Sequence, residues 1–532
     1  MPMLRPGRHR ARRSRRRLLV FGAVAAVLLL FGSAAVAYRL GIVENPFAEK
    51  GRPPERLIEG VTPDAPPPRG VDTELGLLWA EDGPGGPINI EVAGLTTFRG
   101  NAARMYYGEG PVPSDPVVLW RYPGGRNLCM ESTDVDETKV WCGLGWTGQP
   151  TVVELEGGGT EVRFGAYDGR YHFLDGATGR PRRPDLITGD LAKGSATTDP
   201  DRYPLYYAGS RDNYLRVVAL DRETPTVLWS LDAATSVPEP RWNDDWDGAP
   251  LVLGDYLLVG GENSWFYAIR LNRAFDGDGL VTVDPQVVAT MPAFDDRLLE
   301  SLDDPDPRTS IEASVSYFDG VAYVANSAGL VLGFDVSDVL RGGDRIRQVF
   351  RFWTGDDTDA TVVIDDEGFL YVASELERFN ERAAEVGQLM KLDPRNPGDP
   401  IVWSIAVTER GDDGNGGLFS TPAIHGEYLY AATNAGSLFA VRRDDGRIMW
   451  RATLAEPTWS SPVVVDGVLI QGDCEGVLHG FDVSRPPANG RVPKEIWSVR
   501  LEGCVEATPA VWEGRIYVGT REGGIYAIGD RA

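Results

Sequence analysis

A short β-rich run ending in a small residue recurs eight times along this 532-residue chain. The copies are Glu161-Val-Arg-Phe-Gly-Ala166, Pro204-Leu-Tyr-Tyr-Ala-Gly209, Asp255-Tyr-Leu-Leu-Val-Gly260, Gly320-Val-Ala-Tyr-Val-Ala-Asn326, Gly368-Phe-Leu-Tyr-Val-Ala-Ser374, Glu427-Tyr-Leu-Tyr-Ala-Ala-Thr433, Gly467-Val-Leu-Ile-Gln-Gly472 and Gly514-Arg-Ile-Tyr-Val-Gly-Thr520. Aligned on Phe164, Tyr207, Leu258, Tyr323, Tyr371, Tyr430, Ile470 and Tyr517, they lie on average about 50 residues apart, the period of a propeller blade. A unit of that size cannot bury both its faces alone, so successive units must stack and close into a ring. The expected fold is all-β: an eight-bladed β-propeller.

Each run is followed by a turn and a second strand ending in a small residue, an apolar residue and often Asp, as in Ala219-Leu220-Asp221 and Gly480-Phe481-Asp482. Most repeats then close on a tryptophan in an apolar strand: Trp229, Trp353, Trp403, Trp450 and Trp497. Ala440, Gly446 and Trp450 stand in the order and spacing of a tryptophan-docking motif that resembles the pyrroloquinoline-quinone (PQQ) propeller family, the quinoprotein alcohol dehydrogenase-like fold. The resemblance covers about residues 98–532. It implies an indole packed between neighbouring blades, its N–H on a backbone acceptor, with glycine turning the chain.

The final repeat stops at Ala527-Ile528-Gly529-Asp530 without a tryptophan strand, while Pro116-Val117-Val118-Leu119-Trp120-Arg121 stands alone before the first full repeat. Pairing the two would close the ring and remove two open sheet edges. The propeller is therefore expected over 95–532, sealed by an N-terminal strand.

Ahead of it, eight arginines and no acid occupy residues 1–17, and Leu18 to Ala37 carry no charge. This reads as a basic cytoplasmic tail (1–17) and one transmembrane helix (18–38), leaving the propeller outside the cytoplasmic membrane. The alternative is secretion after cleavage of a signal peptide, for which Ala35-Val36-Ala37 and Ser14-Arg15-Arg16-Arg17-Leu18-Leu19 supply the patterns. Residues 39–94, rich in proline, glycine and acid, read as a semi-extended stalk. Without the eight arginines, 45 of the 53 basic residues remain against 78 acids, a formal charge of −33. Such a field repels nucleic acid and favours a cationic partner.

Four cysteines in an exported chain suggest two disulfides. Three pairings are possible, and Cys129 with Cys142 and Cys474 with Cys504 is the expected one. The histidines, His9, His172, His425 and His479, form no metal-spaced pair, and Asp276-Gly277-Asp278-Gly279 lacks the later ligands of a calcium loop. No nucleophile elbow, P-loop or zinc-protease motif is present. The family resemblance implies PQQ held over a tryptophan beneath a ring of two adjacent cysteines, with calcium bound by Glu, Asn and Asp. No two cysteines here are adjacent.

In such propellers the residues before each innermost strand border the central mouth. Counting three back from Pro150, Pro250, Pro422, Pro462 and Pro509 gives Thr147, Asp247, Phe419, Trp459 and Glu506; the less regular repeats contribute Lys193, Glu312 and about Asp359. The acids among them would favour a cation or amine-bearing ligand, or would pair with Lys193 and nearby arginines. Trp459 would serve as a stacking platform or pack between blades. The expected function is a non-catalytic, membrane-anchored binding or scaffold module of the cell envelope with an envelope protein or small cationic ligand as partner, similar in domain type to the propeller lipoprotein of outer-membrane barrel assembly. The alternative is a membrane-bound dehydrogenase of alcohols or sugars using PQQ and calcium.

Overall fold

The computed structural model describes Gly86, Ile88 and residues 92–531, apart from short stretches at 126–127, 135–136, 147, 303–307, 413, 456 and 486–489. The basic tail, the 18–38 segment and nearly all of the 39–94 stalk lie outside the described residues, as does Thr147. Among the described residues no helix is long and apolar enough to cross a membrane.

Eight antiparallel blades are present. Their innermost strands, in chain order, are Thr151–Glu154, Thr197–Thr198, Leu251–Leu253, Ser316–Phe318, Val363–Ile364, Ala423–His425, Val463–Val465 and Ala510–Trp512. The eight repeated runs are the second strands of these blades, where Tyr207, Tyr371, Tyr430 and the other aligned residues are buried. They are the most apolar strands because neighbouring blades cover both their faces. A register shift between third and fourth strand recurs in seven blades. A bulge at that point increases the twist of each blade toward its outer edge.

The ring closes as the strand count predicts. Pro116–Tyr122 pairs antiparallel with Ile525–Asp530, placing Trp120 opposite Ala527. The Trp120 indole donates to the carbonyl of Gly176 at 3.0 Å and lies over Gly179 of the first blade, where an added Cβ would come within 2.6 Å of the ring. Trp403 covers Gly446 of the following blade in the same way, at 2.8 Å. Both glycines have positive φ, so the turn and the close approach each require them. Trp353 and Trp403 also donate to backbone carbonyls. Trp450 and Trp497 depart from the expected motif, since their indole N–H groups find no acceptor.

The segment between stalk and closing strand does something the sequence reading did not anticipate. Gly94–Leu95 pairs with the innermost strand of the first blade, and Gly108–Glu109 runs parallel to that of the last. Between them, residues 96–107 thread the axis. Thr198, Tyr317 and Ile364 donate backbone N–H groups to the carbonyls of Thr96, Ala102 and Ala103, and Ile424 donates to the Tyr107 hydroxyl. Arg99 donates to the carbonyls of Pro422, Thr421 and Pro462 at 2.5–2.7 Å, and Arg104 to those of Val315 and Phe98. Both arginines are fully buried. A ring of eight blades leaves the inner edge of each innermost strand unpaired around a channel; this segment fills the channel and satisfies those edges. At the far end of the stalk, Ile88 donates to Gly100 and the Gly86 carbonyl accepts from Asn101, so the chain is already attached there.

Candidate binding pocket at the propeller mouth

Lys193, Asp247, Glu312, Asp359, Phe419, Trp459 and Glu506 each stand four residues before the first residue of an innermost strand. Equivalent positions in a rotationally repeated fold meet at the axis. All except Asp247 line one pocket of about 350 Å3. Asp247 lines a narrow cavity of about 20 Å3, together with Phe98 of the axial segment, Glu312 and Asp359. The axial segment thus underlies the mouth.

Sequence counting missed a second tier of lining residues: Glu262, Glu375, Asn434 and Arg521. Each lies four residues after the aligned position of its run, Leu258, Tyr371, Tyr430 or Tyr517, so the repeat itself carried the signal. Trp146, Trp242, Arg308, Asp357, Glu377 and Asn415 add residues from less regular loops, with Arg308 3.9 Å from Glu377. Trp459 belongs to the pocket wall rather than to a slot between blades. Its ring centroid is 6.0 Å from that of Phe419, which is 5.7 Å from that of Trp146.

One half of the mouth carries its own cation. The Lys193 ammonium lies 2.6 Å from Asp247 Oδ2, 3.0 Å from Glu262 Oε1 and 3.7 Å from Asp245 Oδ2, and 4.2 Å from the Trp146 ring centroid. Burial alone would push Lys193 down, but Asp247 and Glu262 hold it well above its usual value. Burial likewise works against ionised Glu262, yet Lys193 draws it below the usual range. Burial and crowding push Asp245 up to about 8. Nearby, Arg521 lies 2.9 Å from Glu506.

The other half is built differently. Glu312 accepts from the Trp146 indole at 3.0 Å and from Ser310 at 2.9 Å, and Glu375 accepts from Asn434 at 2.9 Å. Asp357, at 6% exposure, leaves Oδ1 without a hydrogen-bond partner, as does Asp359. Among the described residues no ion pair reaches Glu312, Asp357, Asp359 or Glu375. Burial first, and neighbouring carboxylates second, push Asp357, Asp359 and Glu375 well above the ordinary carboxylate range.

Both expected disulfides are formed. Cys129–Cys142 ties the hairpin of Cys129–Asp134 and Glu137–Cys142, and Cys474–Cys504 joins a turn of the seventh blade to the crossover into the eighth. The hairpin brings Lys139 and Trp141 to the pocket, with Arg211 and Arg521 over the indole. His172 and His479 lie elsewhere, each between two carboxylates. Asp276 caps an exposed turn.

The residues do not fit PQQ and calcium. PQQ is itself a polycarboxylate, and this mouth presents Glu312, Asp357, Asp359, Glu375 and Glu377, while of its four cations Lys193, Arg308 and Arg521 are already paired with carboxylates and Lys139 lies over the Trp141 ring. Among the described residues, the one trio whose carboxylate oxygens gather within 4.8 Å is Asp245, Asp247 and Glu262, and it surrounds the Lys193 ammonium. Each cysteine is bonded to a distant one.

A family model described as outer membrane protein assembly factor BamB matches residues 385–485. The chain is 23% identical over 339 residues to the outer membrane protein assembly factor BamB of Yersinia pestis, covering 59% of this chain and 79% of that one. The corresponding protein of Salmonella typhimurium is 27% identical over 143 residues, 27% of this chain and 32% of that relative. Among solved structures, a europium-containing methanol dehydrogenase superposes with a TM-score of 0.54 at 12% identity, covering 82% of this chain and 98% of the other. The quinohemoprotein alcohol dehydrogenase of Comamonas testosteroni gives 0.51 at 14%, covering 83% and 81%. At such identities these two likenesses concern the fold alone. The repeat, the eight closed blades and these matches show a PQQ-like β-propeller fold, similar to the BamB family model over residues 385–485.

Proposed function

We propose that this protein is a non-catalytic binding module of the cell envelope, anchored in the cytoplasmic membrane through residues 18–38, that engages its partner by its acid-lined mouth. The observation carrying this reading is the set of carboxylates Glu312, Asp357, Asp359 and Glu375, of which Asp357 and Glu375 are buried and the other two half-buried, all lining an open pocket and in no ion pair among the described residues. Leaving such groups together is costly, and a partner that brings positive charge recovers that cost on binding. Two disulfides agree with an oxidising, extracytoplasmic location. The curated relatives carry an assembly-factor name, which supports a role in contacting other envelope proteins.

The test is site-specific photo-crosslinking in cells. A crosslinker at Trp242, on the mouth, should capture a partner, and Asp357→Asn with Glu375→Gln should abolish the capture. One at Phe275, on the hairpin beyond the opposite end of Trp265–Arg270, should not capture it. Equal capture from both positions, or capture indifferent to the carboxylates, would contradict the mouth as binding face. The dehydrogenase alternative predicts quinone absorbance and dye reduction on reconstitution with PQQ and calcium; the donor set described above predicts neither.

A further inference from the structure

We propose that the mouth takes a primary alkylammonium group, of a free diamine or of a lysyl side chain, with its nitrogen on Asp357 and Asp359 and its alkyl stem along Phe419 and Trp459. This rests on the mouth being the binding face.

The protein contains its own template. Lys193 places a primary ammonium against Asp247 and Glu262 with the Trp146 ring 4.2 Å away. The chemistry of the opposite half is the same: carboxylates beside an aromatic arc running Trp146, Phe419, Trp459. An ammonium supplies three N–H donors and tolerates an irregular set of acceptors. Asp357 Oδ1 and Asp359 Oδ1, which lack donors, are the atoms it would satisfy. The rings suit the stem and add cation–π attraction.

Other cations fit less well. A divalent metal requires several oxygens converging on one point, and among the described residues only the Lys193-bound trio converges in that way. A quaternary ammonium has no N–H and would leave the buried oxygens without donors. A guanidinium demands a planar, bidentate arrangement, whereas Asp357 and Asp359 lie two residues apart on one loop and Glu375 on the short strand Glu375–Leu376.

The experiment is calorimetric titration of the purified full chain in detergent with 1,5-diaminopentane, a short lysyl peptide, tetramethylammonium and calcium chloride. The amine and the peptide should bind at least ~10-fold more tightly than tetramethylammonium or calcium. Asp357→Asn and Asp359→Asn should each weaken amine binding by about 10-fold or more, while exposed Asp366→Asn should leave it unchanged. Near-UV circular dichroism of each variant establishes that it is folded, and Phe419→Ala provides an independent substitution on the stem side, expected to weaken the amine as well. Tighter binding of the peptide than of the diamine would assign the group to a protein partner, and the reverse to a free amine. Preference for calcium, or amine binding indifferent to Asp357 and Asp359, would overturn the proposal. Absence of amine binding at millimolar concentration, with mouth-dependent crosslinking retained, would overturn the alkylammonium class and leave the binding face standing. Loss of both would overturn both.

Discussion

Arg104 donates from Nε and Nη2 to a single acceptor, the carbonyl oxygen of Val315, at 2.9 and 2.6 Å. With Arg99 it holds the axial segment against the innermost strands, in a place where water cannot replace either guanidinium. Arg104→Ala should therefore strand carbonyls around the channel and destabilise the protein by about 3 kcal/mol or more, since each buried group left unmade costs ~1–3 kcal/mol. Arg104→Lys keeps the charge but not the fork and should fall between. Urea denaturation measures both.

Ring closure makes a separate prediction. Deleting 95–123 removes both the axial segment and the closing strand, and should unfold the domain, whereas deleting 41–84, which stops short of the attached Gly86 and Ile88, should leave the melting temperature nearly unchanged. Trp120→Ala isolates the closing strand and should cost about 3 kcal/mol from lost packing against Gly179 and Tyr517. Equal melting of the two truncations would contradict the closure.

The acids of the mouth should weaken the fold at neutral pH. The Asp359 pKa is raised above its ordinary 3.8 in the folded state by burial and by Glu312 and Asp357. Its protonated form is the one the fold favours, so its contribution is fully present below the unfolded value and is lost as pH rises through the raised one. Asp359→Asn should melt higher than wild type at pH 7.5, and the difference should shrink toward pH 4. A constant difference would indicate a cause other than ionisation.

Loss of the two disulfides should have distinct effects. Cys474 and Cys504 are separated by 30 residues, so replacing both with serine should cost roughly 3–4 kcal/mol of stability by freeing the unfolded chain. Cys129–Cys142 ties a hairpin that carries Lys139 and Trp141 to the mouth. Its replacement should weaken ligand binding more than it lowers the melting temperature, as measured by parallel titration and calorimetric scanning.

The periodicity of Tyr323, Tyr371, Tyr430 and Tyr517 made the blades legible, and the unmatched strand at Val117 to Arg121 made the closure legible. Both reflect packing rules that repeat with the chain. Mouth residues such as Glu312 and Trp459 followed because a repeated fold puts equivalent positions at one axis. Glu375 and Asn434 were legible by the same rule at a second offset. The axial segment was not, because Phe98 to Tyr107 has neither helical nor strand period. Its order comes from hydrogen bonds to carbonyls more than 100 residues away in sequence, as for Arg99 with Pro422. Nor could the sequence tell that Lys193 would neutralise Asp247 while leaving Asp357 and Asp359 without a cation, since that division depends on which loops face each other across the mouth.

Proton release on amine binding tests the central claim most directly. If the mouth takes a cation on carboxylates whose pKa burial and neighbouring acids raise, binding draws them toward the ionised form. Calorimetric titration of 1,5-diaminopentane at pH 7 in two buffers of different ionisation enthalpy should then report net proton release on binding, and Asp357→Asn with Asp359→Asn should abolish the release. Binding without proton release, or release unchanged in the double variant, would contradict the account.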